Sequence, residues 1–88
     1  MSILKIKRLH PKAQLPTRAT QGSAGYDLYA GIEQAVEILP GQTQKIPTGL
    51  AIQLESKNEV ALIFARSSLG TKYGVAPANA VGVIDSDY

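Results

Sequence analysis

The sequence predicts an all-β fold of the sandwich or barrel kind, on three observations. Apolar residues recur at every second position, as Leu4 and Ile6, Tyr26 and Leu28, then Leu50, Ile52 and Leu54, then Val60, Leu62 and Phe64 or their neighbours. Turn signals separate these runs at short intervals: Leu15-Pro16, Gln21-Gly22, Pro40-Gly41, Pro47-Thr48-Gly49 and Lys57-Asn58. No stretch shows the 3.6-residue period of an amphipathic helix. With 88 residues, no internal repeat and no linker, the chain is expected to form a single domain over residues 1–88.

Taken in order, the first run places Leu4 and Ile6 on one face of a strand and Lys5 and Lys7 on the other, so the basic stripe Lys5, Lys7, Arg8 and Lys12 reads as a solvated face. The segment from Val60 to Ala65 is nearly continuous in apolar residues. Such a strand is expected to be central, with both faces covered. Its end delivers Arg66. The following Ser67-Ser68-Leu69-Gly70-Thr71-Lys72-Tyr73-Gly74 breaks the alternation, and a serine before Leu69 predicts an N-cap for a single helical turn. The last run, Val81 to Ile84, is strand-like again.

Composition removes several classes of chemistry. The chain has no cysteine, which excludes disulfides, zinc–thiolate sites and thiol nucleophiles and fits a reducing compartment, the cytoplasm. The net charge of +2 is carried by scattered residues with few aromatic platforms between them, so no nucleic-acid partner is expected. No apolar run approaches the roughly 18 residues that would span a bilayer, so a soluble protein without a membrane partner is expected.

Few side chains remain that could act as catalysts. The one histidine, His10, stands before Pro11 in a basic and exposed stretch, and Glu33, Glu37, Glu55 and Glu59 lie in polar, loop-like surroundings. That leaves Asp27, Asp85 and Asp87. Asp85 follows Val81-Gly82-Val83-Ile84 directly. A carboxylate at the end of an apolar strand is partly desolvated and suited to take a proton from water, while Asp-Ser-Asp is equally ordinary turn chemistry. Arg66-Ser67-Ser68 offers a guanidinium fork, two hydroxyls and the free N–H groups of a helical turn, a set suited to phosphate. An arginine paired with a carboxylate beside a plain cap is the alternative. Asp27, inside an alternating strand after Gly22-Ser23-Ala24-Gly25, either faces solvent or faces inward, where it could hold a magnesium ion through water.

Together these three segments resemble the first three of the five motifs of the trimeric dUTPases, in their usual order. Ala24-Gly25-Tyr26-Asp27-Leu28 is similar to the first, Arg66-Ser67-Ser68-Leu69-Gly70 to the second and Asn79 to Tyr88 to the third, with Pro47-Thr48-Gly49-Leu50 matching between them. The resemblance implies a jelly-roll-like fold, a homotrimer with shared active sites, and Mg²⁺-dependent hydrolysis of dUTP to dUMP and pyrophosphate. It implies Asp85 as general base, Arg66, Ser67 and Ser68 as the phosphate grip, and Asp27 near the metal through water, with no direct protein ligand. Asn79 and the backbone of Val83 would read uracil, and Ile84 and Tyr88 would pack against the deoxyribose.

Two positions depart from the family pattern: Ala65 stands where proline is usual and Ser68 where glycine is usual. Arg-Ser-Ser-Leu is also similar to the dCTP deaminases, so a deaminase, or a bifunctional deaminase–dUTPase of the same fold, is the alternative enzyme. A non-catalytic β module is the alternative outside enzymes. The family's chains continue past the position of Tyr88 with further strands, a fourth motif and a glycine-rich arm. A C-terminally truncated chain with little or no activity by itself is therefore the expectation.

Overall fold

A computed structural model describes residues 3–88. It contains four short strands and one short helix: β1 (Lys5–Arg8), β2 (Leu50–Gln53), β3 (Ala61–Ile63), α1 (Ser67–Tyr73) and β4 (Gly82–Ile84). The all-β expectation holds. The strands make two two-stranded sheets, β1 with β2 and β3 with β4. The chain divides into two compact units, one comprising Ile6–Ile52 and the other Gln53–Tyr88 with the N-terminal residues through Lys5.

In the Ile6–Ile52 unit, backbone packing takes the place of a large apolar core. Ala13, 2% exposed, is the buried hydrophobic residue. It is held by a turn in which its N–H donates to the His10 carbonyl at 3.0 Å, and the Leu9 N–H donates to the Gly49 carbonyl at 2.7 Å. Gly49 has a φ of +71°, and a Cβ there would stand 2.9 Å from the Ala13 Cβ. Gly31 donates its N–H to the Pro47 carbonyl at 2.8 Å. A Cβ on Gly31 would fall 2.5 Å from the Thr48 carbonyl oxygen, so no larger residue fits without displacing that backbone. The Pro47-Thr48-Gly49 signal thus marks a close backbone approach.

Alternation is clear on β2, where Leu50, Ile52 and then Leu54 are half-buried between exposed Ala51, Gln53 and Glu55. The basic stripe of Lys5, Lys7, Arg8 and Lys12 is exposed, as expected. Around Asp27 the strand expectation fails. Thr17 and Asp27 form one isolated bridge, and two hydrogen bonds between a single residue pair do not extend into a ladder. The faces are also inverted: Asp27 and Tyr29 are half-buried, while Tyr26 and Leu28 are 64% and 42% exposed. Leu15-Pro16 makes no turn either. Pro11-Lys12 does, closed by the Ala13 N–H on the His10 carbonyl, with the Lys12 N–H also donating to His10 Nδ1 at 3.0 Å.

In the other unit β3 and β4 run antiparallel, with Ala61 opposite Ile84, Leu62 opposite Val83 and Ile63 opposite Gly82. Ala61, Ile63 and Ala65 turn to the half-buried side. Val60, Leu62 and Phe64 are 51%, 50% and 63% exposed. This corrects the expectation of a central strand covered on both faces: among the described residues β3 pairs with β4 alone and carries one covered face. A continuous apolar run records that both faces are suited to burial, not that this chain buries them.

Candidate active site

Arg66 occupies the N-cap position of α1 with extended backbone angles, φ −62° and ψ 145°, and no side-chain cap hydrogen bond is made. The serine cap expected from sequence is therefore corrected. Ser67 and Ser68 are already in the first turn, and the helix runs for seven residues instead of one turn. Within it the Thr71 Oγ1 donates to the Ser67 carbonyl at 2.6 Å, one turn back. Gly74 ends it in the left-handed conformation, donating to the Gly70 carbonyl at 3.2 Å, while the Val75 N–H returns to the Leu69 carbonyl at 3.0 Å.

The first-turn N–H groups of such a helix have no carbonyl within the helix to bond. No acidic residue stands among them, and Arg66, Ser67 and Ser68 are all exposed. Asn79 follows Pro77 in a turn closed by the Ala80 N–H donating to the Pro77 carbonyl at 2.9 Å. Ala80 has a φ of +65°, and the Val81 N–H donates across it to the Asn79 carbonyl at 2.7 Å. A left-handed centre in so tight a turn is strained for any residue with a Cβ. The sequence offers no signal for it.

Beyond this turn β4 carries Val83, 61% exposed, and the half-buried Ile84. Asp85 then opens a turn in which the Tyr88 N–H donates to its carbonyl at 3.2 Å. The Ser86 hydroxyl ties that turn back to the Lys57 carbonyl at 3.2 Å. Asp85 is exposed, so the partial desolvation expected at a strand end is not present in this chain. Tyr88 is 99% exposed.

The register decides which of these residues keep company. Asn79 and Arg66 both lie beyond the Ile63–Gly82 end of the ladder, whereas Asp85 lies beyond the Ala61–Ile84 end. Were both exits extended at about 3.3 Å per residue, the six residue steps between Arg66 and Asp85 would put them about 20 Å apart. The chain does not bring its phosphate-type and carboxylate-type groups to one end of this sheet.

Asp27 belongs to the Ile6–Ile52 unit. It is half-buried, and its backbone exchanges hydrogen bonds with Thr17, at 2.7 Å through its N–H and 3.3 Å through its carbonyl. Among the described residues no three His, Cys, Asp or Glu side chains gather as a metal cage. His10 is exposed as expected, beside an open depression of about 350 Å³ lined by Arg8, Leu9, His10 and Pro11. No helix among the described residues is long and apolar enough to cross a membrane.

Residues 11–88 match the family model described as dUTPase. The chain belongs to the dUTPase family. A deoxyuridine 5'-triphosphate nucleotidohydrolase of Desulfitobacterium hafniense is 52% identical over 92 aligned positions, which cover 100% of this chain and 61% of that protein. One from Polynucleobacter asymbioticus is 51% identical over 90, covering 100% and 60%. One from Haemophilus influenzae is 52% identical over 81, covering 92% and 54%. The chain thus spans less than two thirds of the length of these relatives. Its all-β fold is of the dUTPase type, and all three segments singled out in the sequence fall inside the family match.

Proposed function

We propose that the protein hydrolyses dUTP to dUMP and pyrophosphate, in the cytoplasm. The observation that carries this is the order of three segments, Asp27, Arg66-Ser67-Ser68 and Asn79 to Tyr88, within a match to the dUTPase family over residues 11–88. The Asp85 carboxylate accepts a proton from a water molecule as the water oxygen bonds to the α-phosphorus. The bond from that phosphorus to the α–β bridging oxygen breaks, and pyrophosphate leaves.

Arg66 and the Ser67 and Ser68 hydroxyls hold the triphosphate through charge-assisted hydrogen bonds. Asn79 and the Val83 backbone bond the polar edge of uracil. The Tyr88 ring and Ile84 pack against the sugar, where a ribose 2′-hydroxyl would lose its partners at about 1–3 kcal/mol. A Mg²⁺ would take most of its oxygens from phosphates and water, and Asp27 would hold one such water. The ion would neutralise charge on the triphosphate oxygens.

The protein is proposed to act as a homotrimer with its sites shared between copies. Two features support this. Arg66 and Asp85 leave opposite ends of the β3–β4 ladder, which suits a site that draws each from a different copy. Asp85 is also exposed, and a second copy over it would supply the desolvation that a general base gains from.

The direct test is substrate choice in the full-length product of the reading frame. Pyrophosphate release from dUTP with Mg²⁺, and little from UTP or dTTP, is the expected outcome. Ammonia release from dCTP would instead favour the deaminase reading suggested by Arg66-Ser67-Ser68-Leu69. Failure to turn over either nucleotide would favour the non-catalytic module.

A further inference from the structure

The passage leading into Asp27 is organised around one side chain that the proposed mechanism does not use. Thr17 and Asp27 close the base of an eleven-residue loop by the paired backbone bonds between them. The Thr17 and Tyr29 hydroxyls are also bonded, at 2.5 Å. Inside the loop, Arg18 Nη2 donates to the Gln21 carbonyl at 2.7 Å and to the Ser23 carbonyl at 2.6 Å. Its guanidinium carbon lies 5.9 Å from the centre of the Tyr26 ring. Thr20 and Ser23 add a local turn, with the Ser23 N–H on the Thr20 carbonyl at 3.1 Å and the Thr20 N–H on Ser23 Oγ at 3.0 Å.

No residue from Ala19 through Tyr26 is buried, so apolar packing does not hold this segment. Its conformation rests on these polar contacts, and Arg18 makes the charged ones. A planar guanidinium can serve two carbonyls and face a ring at once, which an ammonium does less well. We propose that Arg18 is a positioning residue: it clamps the loop from Thr17 to Asp27 and thereby sets where the Asp27 carboxylate is presented to the magnesium–triphosphate. The second half of this statement rests on the assignment of Asp27 to the water shell of the metal.

The test compares Arg18→Ala and Arg18→Lys in the full-length product by hydrogen exchange and by the magnesium concentration giving half-maximal dUTP turnover. Arg18→Ala is expected to speed exchange at Ser23 and Asp27 by about tenfold, the scale of one exposed charge-assisted hydrogen bond. Exchange in β3 and β4 should stay as it was. The magnesium requirement should rise several-fold while the rate at saturating magnesium changes little, and Arg18→Lys should recover part of both effects. A local change with conservative rescue separates positioning from a general loss of stability.

Unchanged exchange at Asp27 in Arg18→Ala would overturn the clamp. Faster exchange with an unaltered magnesium requirement would overturn its positioning role. An Asp27→Asn control keeps the two readings apart. If that variant leaves the magnesium requirement unchanged, the metal assignment of Asp27 has failed, and the exchange result still decides whether Arg18 clamps the loop.

Discussion

Asp85→Asn is expected to lower pyrophosphate release from dUTP by roughly 10²–10⁴-fold, the range over which a positioned general base accelerates proton transfer. Asparagine keeps the shape of the side chain and its place after Ile84 but cannot take the proton from water. The effect should appear in kcat, with KM near its original value, because neither the uracil contacts nor the phosphate grip is altered. The turn should survive, since the bond that closes it uses the Asp85 backbone carbonyl, not its carboxylate. Steady-state kinetics with dUTP at saturating magnesium reads both parameters, and an unchanged kcat would remove Asp85 from the base position.

The second large effect is expected at the other end of the ladder. Arg66→Ala should lower kcat/KM for dUTP by about 10²-fold, since donors aimed at developing phosphate charge typically contribute several kcal/mol when organised in advance. Arg66→Lys should recover only part of this, because a lysine restores the charge without the two-pronged geometry. The side chain does not cap α1, so the helix start is not expected to depend on it. A loss of activity in Arg66→Ala that appears only as unfolding, with normal kinetics in the folded fraction, would count against the phosphate role.

Much of the fold is legible in the residues, and what is not has identifiable causes. The period-two pattern locates β1, β2 and β3, the strand-like run Val81 to Ile84 marks β4, and Gln21-Gly22, Pro40-Gly41 and Lys57-Asn58 are turns in the structure. Asp85-Ser86-Asp87-Tyr88 is the turn that its residue types suggest. The length of α1 is hidden because Gly70 and Thr71 are both poor helix formers. Burial around β3 departs from expectation because alternation tells which residues share a face, not how many layers cover it. Val60, Leu62, Phe64 and Val83 are suited to a covered face, yet each is at least 50% exposed here.

The site shows the same division. Arg66, Asn79 and Asp85 can be nominated from residue type and order, but their distribution over the two ends of the ladder depends on the register of Leu62 with Val83, which no spacing along the chain reveals. Ala80 and Arg18 carry no signal of their own. An alanine gives no sign of a positive φ, and an arginine near a turn gives no sign that its fork will be used on the carbonyls of Gln21 and Ser23.

Complementation between two inactive chains tests whether Arg66 and Asp85 serve one substrate from different copies. Asp85→Asn and Arg66→Ala chains, each nearly inactive, are co-expressed in equal amounts and the mixed oligomers assayed for dUTP hydrolysis. If each site takes its arginine from one copy and its aspartate from another, random mixing leaves both intact in about a quarter of sites, and activity should return to about that fraction. Mixed oligomers no more active than either variant alone would place both residues in the same copy and contradict the shared site.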